Sequence, residues 1–295
     1  MSFRVLPYFL RAIHFIIIFE IQFYTSIQDM KKVLKISTQF LLFFFLTICT
    51  QIGGLALLAS LGINKAWKKE IRFKSIISFS IVYLLMTFLI VPFIAPIFGR
   101  EKVKHSDKVK PTTYMTVLLN RNYVNPALND LITKTAINLK NSKIELRYLD
   151  ANFPFIDKFP LLPHLSHNDG KKIDFNLIYE NIHGEIVNQR KSISGYGIFE
   201  SPKPGEQHQI NQCINDGYWQ YDFTKYVTFG KINKDLKFSE KGNKRLIESI
   251  LKQQKLGKIF IEPHLKTRMN LRHHRVRYHG CQAVRHDDHI HIQLK

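Results

Sequence analysis

Acidic residues and cysteines are both scarce in this chain. Only 23 Asp+Glu stand against 43 Lys+Arg, a formal charge of +20 over 295 residues. That imbalance suits an anionic neighbour such as nucleic acid, anionic lipid or an acidic wall polymer, or else a Lys-rich surface with no dedicated partner. No zinc-finger, RNA-recognition or basic-zipper pattern is present, so no nucleic-acid partner is expected and lipid head groups or wall polymer are favoured. With three cysteines and no CxxC pair, a thiolate metal knuckle is excluded. Cys49 falls in an apolar stretch. Cys213 and Cys281 fall in the polar part, where either a disulfide or two buried thiols fits. No small-residue cleavage site follows the apolar N-terminal region, so those segments are expected to stay attached. Internal repeats, low-complexity tracts and βαβ regularity are also lacking.

Charge is missing altogether from Ile36 to Ile63 and again from Ser75 to Phe98. Each run exceeds the roughly 20 residues that span a bilayer as a helix, and Pro92 and Pro96 are tolerable there. Val5 to Tyr24 is apolar but carries Arg11, His14 and Glu20, which are costly at mid-bilayer. It reads as a third span, an interfacial helix or a signal-like segment. Between the uncharged runs, Asn64–Lys74 holds Lys65, Lys68, Lys69, Arg72 and Lys74 against Glu70 alone. A short loop that basic is expected in the cytoplasm, which sends the chain after Phe98 outward and leaves the N-terminus, with Arg4, inside. The basic stretch Arg100–Lys110 argues the other way, but long domains translocate largely regardless of charge. The expected location is therefore the cytoplasmic membrane, multi-pass, with the polar part on the periplasmic, extracytoplasmic side.

Three regions follow: a membrane anchor over 1–99, a linker and helix over 100–142, and a globular domain over 143–295. Pro126–Leu139 has helical apolar spacing, as does Ser239–Leu256, with Ser239 as N-cap and Gly257 as stop. Lys143–Leu149, Ile173–Tyr179, Lys258–Glu262 and His289–Leu294 read as strands. The fold class is α+β, a small antiparallel sheet with flanking helices behind transmembrane helices.

Histidine is where the chain is rich. Arg285-His286-Asp287-Asp288-His289-Ile290-His291 carries three histidines in H-x-x-H-x-H spacing. In a strand, His289 and His291 share a face. Upstream, His164, His167 and Asp174 surround Gly170, a residue that tolerates the positive φ of a turn. Imidazoles and a carboxylate are the ligands of hydrolytic zinc.

This pattern resembles the LAS-type zinc peptidases, which include D-Ala-D-Ala carboxypeptidases and D,D-dipeptidases. It is nearest to the penicillin-insensitive murein endopeptidases. The shared signature is His167, Gly170 and Asp174, then His289-Ile290-His291, with His164 and His286 each three residues ahead of a motif. The likeness covers roughly 145–295. The Glu-bearing E-x-W-H motif of the carboxypeptidase branch is lacking. The resemblance implies a hedgehog-like peptidase domain and a zinc hydrolase acting on peptidoglycan peptides. His167, Asp174 and His291 would be the metal ligands, His286 the base, and His289 a group that stabilises the tetrahedral intermediate. One zinc is implied, and a second where His164 reaches one; for that ion Asp216, Asp222 and His208 have no convincing spacing. Three protein ligands leave the open position of a catalytic site.

Alternatives stand beside these roles. Asp287, Asp288 or Glu262 could replace His286 as base. His279 and His273-His274 read as solvated loop residues. Arg285 is either a carboxylate clamp or a surface ion pair. Tyr218, Trp219 and Tyr221 read as a groove lining or as packing. A non-catalytic, metal-binding wall scaffold of the same fold is the competing function. Oligomeric state is not readable.

Overall fold

The computed structural model describes residues 6–68 and 71–295, with side chains from residue 28 onward. The side chains of the Val5–Tyr24 stretch, and Arg4, Lys69 and Glu70, lie outside the described residues.

The uncharged N-terminal run is folded back on itself rather than continuous. Helix α1 spans Leu6–Thr50, the chain turns at Gln51 (φ 66°), and α2, Gly53–Ala66, returns along it. The glycines make the close return possible: a Cβ on Gly54 would lie 2.7 Å from the Phe43 ring. Helix α3, Lys74–Leu85, continues through a π-turn at Met86–Ile90 and short turns to Phe98. Gln28–Thr50 and Lys74–Phe98 are each long and apolar enough to cross a membrane. The expected single span Ile36–Ile63 is thus corrected to a helical hairpin. The reason is local: Thr50 Oγ1 accepts from the Gly53 N–H, and Gln51 adopts a left-handed conformation.

Only Gly99 and Arg100 separate the third helix from the first strand, Glu101–Lys102. Beyond it lies a six-stranded sheet. Its strands are β1 Val109–Pro111, β2 Leu146–Tyr148, β3 Lys172–Asn176, β4 Leu256–Phe260, β5 Val276–Arg277 and β6 His289–Leu294. Their order across the sheet is β5-β4-β6-β3-β2-β1. The centre is antiparallel, as expected, but both edges are parallel pairs, β5 with β4 and β1 with β2, so the sheet is mixed. Strand β1 lies inside the stretch expected to be linker.

Helix α4, Pro126–Asn138, starts at Asn125, whose side chain accepts from the Ala127 N–H, with proline at the first position where no donor is needed. Helix α5, Glu240–Leu251, is capped by Ser239, as its sequence suggests. It ends before Gly257, which is not a helix stop. Gly257 lies in β4, where a Cβ would meet the Leu294 carbonyl at 2.7 Å. Both helices press Leu128, Leu131, Ile132, Leu246, Ile247 and Ile250 onto one sheet face, where Ile173, Phe175, Ile290 and Ile292 meet them in a single buried cluster. Removing one such side chain costs about 2–5 kcal/mol. The period-two alternation of β3 and β6 then turns Asp174, His289 and His291 to the opposite face.

A candidate metal centre

Register brings the two motifs together. His291 pairs directly with Asp174 across β6 and β3, and with Phe260 across β6 and β4. His167 reaches the same point from the loop before β3, which Gly170 turns at φ 76°. Asn152 holds that loop, accepting from the Gly170 N–H and donating to the Lys172 carbonyl.

His167 Nε2, Asp174 Oδ1 and His291 Nδ1 lie 2.8–3.2 Å apart: 3.1 Å between the imidazoles, 3.2 Å from His167 to Asp174 and 2.8 Å from His291 to Asp174. Tetrahedral zinc with bonds near 2.0 Å spaces its ligand atoms about 3.3 Å apart. The His167 Nδ1–H donates to the Ala151 carbonyl at 2.7 Å, which leaves the Nε2 lone pair facing the cluster. The second carboxylate oxygen faces a second pair, 3.3 Å from His164 Nδ1 and 3.7 Å from His289 Nε2. His289 Nδ1 is held by Asp288. His286, His289 and His291 form a third close group. These buried His/Asp groups could hold a metal ion.

The protonation balance is consistent with that use. Burial opposes ionisation of Asp174, but His167, His289 and His164 outweigh it and hold the carboxyl well below its usual range. Burial pushes His291 down to about 3, and lowers His164, so both stand neutral as ligands must. Burial, with His289 and His291 alongside, also drives His286 well below its ordinary value. His289 is the exception: burial lowers it, but the Asp174 and Asp288 carboxylates win and raise it to about 9. Both nitrogens of His164, and Nε2 of His289 and of His291, are buried without a hydrogen-bond partner. An orphaned buried polar atom costs about 1–3 kcal/mol. These four atoms mark a polar pocket beside the triad rather than its ligand set, since none of them is His167 Nε2, Asp174 Oδ1 or His291 Nδ1.

The other candidates separate cleanly. Asp287 is clamped by Arg285, which also lies 3.8 Å over the Phe199 ring, so Arg285 is a buried structural pair rather than a surface one. Asp288 also accepts from the Gly197 N–H at 2.6 Å. Glu262 accepts from the Tyr221 hydroxyl at 2.6 Å and the His286 N–H at 3.0 Å. All three carboxylates are committed, whereas the His286 ring has no hydrogen bond among those described. Tyr221 is thus buried packing and Trp219 is exposed. Asp222 pairs with Lys225, and neither it, Asp216 nor His208 joins the cluster. His273 and His274 stack on each other away from it. His279 differs from expectation: its ring stacks on His286 at 5.5 Å and meets Phe260 edge to face at 4.4 Å, at the rim of the site. A disulfide joins Cys213 to Cys281 and packs beside Tyr221 and Tyr278, behind Glu262.

Two participants escape a reading of the sequence. The Tyr196 hydroxyl donates to Asp174 Oδ2 at 2.8 Å, and Asp150 lies 3.6 Å from His164. Tyr196 stands between Gly195 and Gly197, both at positive φ. That Gly-Tyr-Gly turn was the only available signal, and it points to a turn rather than to a metal. No protein-family model and no curated protein matches the chain.

Proposed function

We propose that the chain is a membrane-anchored zinc amidohydrolase that cuts peptide cross-links of peptidoglycan outside the cytoplasmic membrane. The observation that carries this is the tetrahedral-edge spacing of His167 Nε2, Asp174 Oδ1 and His291 Nδ1, with His291 held neutral and the carboxylate ionised. Zinc bound there supplies a Lewis acid for the scissile carbonyl and acidifies a water. His286, neutral and free of hydrogen bonds, accepts the proton of the attacking water at a ring nitrogen. His289, oriented by Asp288, donates from Nε2 to the oxygen on which charge develops. Tyr196 and Asp150 hold Asp174 and His164 in place.

The anchor supports the location. Lys31, Lys32 and Lys35 of α1 and Lys65 of α2 lie at the hairpin end remote from Gln51, whose side chain accepts from the Phe155 N–H of the sheet domain. Basic residues at one end and the domain at the other suit a cytoplasmic loop and an external domain. The Cys213–Cys281 disulfide suits an oxidising compartment.

Near-complete burial of the cluster, 0–4% exposed for its five histidines and Asp174, favours a second reading, a non-catalytic metal-binding scaffold. Incubating the purified full chain with isolated sacculi, with and without chelator, decides between them. Chelator-sensitive release of muropeptides, lost in His291→Ala, is expected. Bound zinc with no release by the unaltered protein would leave the scaffold. Protease accessibility of the domain in spheroplasts checks the orientation.

A further inference from the structure

Beside the metal cluster runs a cleft of about 560 Å³. Its inner wall is the cluster's own support: Tyr196, Asp150 and Pro163, the residue before His164. Its outer rim is made of exposed large apolar side chains, Met115, Leu162, Ile193 and Phe229. Arg121 and Arg190 line it as well; Arg121 pairs with Asp150, and Arg190 bonds the carbonyls of Thr112 and Ile193. A water-filled cleft does not require such an apolar rim.

The wall that carries Met115 and Leu119 is thin. On its far side the Tyr83 hydroxyl of α3 donates to the Leu118 carbonyl at 2.6 Å, and Asn120 Nδ2 lies 3.3 Å from Thr87 Oγ1. Tyr83 and Thr87 fall near the middle of the apolar stretch Lys74–Phe98, not at its end. From Tyr83 the helix rises roughly 20 Å further to Phe98. Over that rise one face packs the domain through Val91 and Ala95, while Phe93 and Ile97 stay 82% and 80% exposed. An apolar surface therefore extends beside the cleft and well above it.

We propose that this cleft is the entrance to the metal centre and opens onto the outer lipid leaflet. It favours cross-linked peptide that is tethered to that leaflet by an amphiphilic anchor, whose acidic group meets Arg121 and Arg190. Soluble peptides reach it poorly. The claim rests on the proposed hydrolase for the word substrate and on the proposed orientation for the word outer; the cleft's contact with lipid rests on neither.

The test uses the full chain with Cys49→Ala, so that a single introduced cysteine takes an environment-sensitive fluorophore; Cys213 and Cys281 remain bonded. Met115→Cys and Leu162→Cys are compared with Phe45→Cys, on exposed α1, and Ile182→Cys, in the turn between the strands Tyr179–Glu180 and Ile186–Val187, in phosphatidylcholine–phosphatidylglycerol vesicles with brominated acyl chains. Bromine quenching is expected at 115, 162 and 45 and not at 182. Positions 115 and 162 as unquenched as 182 would overturn the placement. A photo-crosslinking acidic peptide bearing a palmitoyl chain is then offered beside the same peptide without it, to chelator-treated protein in vesicles. The tethered form is expected to label residues 113–121 at least about tenfold more, as local concentration dictates. Equal labelling, or none in the cleft, would overturn the leaflet-held substrate. Neither readout needs metal or turnover, so correct quenching without hydrolysis would refute only the hydrolase.

Discussion

Two halves of the same buried core treat their polar groups in opposite ways. On one side of His286 lie Arg285, Asp287, Glu262 and Tyr221, all deeply buried and all hydrogen-bonded to one another or to backbone. On the other side lie His164, His289 and His291, equally buried, with four ring nitrogens left bare. Equal burial would make the second half much less stable if nothing were to fill it. The comparison separates structure from function better than either motif does. A satisfied network fixes the framework, whereas an unsatisfied one could hold a ligand.

Removing the shared carboxylate should break the contrast most severely. Asp174→Asn is expected to lower metal affinity by more than about 100-fold, beyond the usual loss for an outer-shell partner. Equilibrium dialysis with elemental analysis reads this, and undiminished stoichiometric metal would show that the bare nitrogens serve something else. Next in size is the satisfied half. Replacing Cys213 and Cys281 together with serine is expected to destabilise the protein by about 2–4 kcal/mol, seen as a lower denaturant midpoint with metal content unchanged. Tyr221→Phe strips Glu262 of one bond and should cost about 1–3 kcal/mol, again without metal loss. Loss of metal in either variant would mean that the two halves are not independent.

The smallest effect is a control far from the cluster. Glu206 is gripped by Arg268 through both oxygens, at 2.9 and 2.6 Å, and this contact leads in lowering its pKa to about 2. A depressed carboxylate stabilises above its unfolded value of 4.5, and that contribution fades as pH falls from 4.5 toward 2. Glu206→Gln should therefore cost about 1 kcal/mol at pH 7. The gap to the unaltered protein should close on acidification, as followed by denaturant titration at each pH.

Much of this arrangement is legible in the sequence because strand geometry is periodic. Ile290 and Ile292 mark one face of the last strand and His289 and His291 the other. Asp174 between Ile173 and Phe175 does the same for its partner. The turn at Gly170 and the cap at Ser239 announce themselves by residue type. What stays hidden depends on contacts remote in sequence. Tyr196 meets Asp174 across 22 residues. The parallel edge strands are short and bear no alternation of their own. The hairpin within the uncharged run is hidden for another reason: uniform apolarity carries no phase, so only the close fit of Gly53 and Gly54 against Phe43, Leu46 and Thr47 reveals where it folds.

The short join at Gly99 has a consequence for reach. A flexible tether lets a tethered module explore a volume that grows with its length. Here the Ala95 carbonyl accepts from the Arg100 N–H, the next residue begins a strand, and Gln51 and Tyr83 bond the domain from below. The sheet domain is thus fixed to the helices as a gauge is to its post, and lengthening the chain at this join would turn a gauge into a leash.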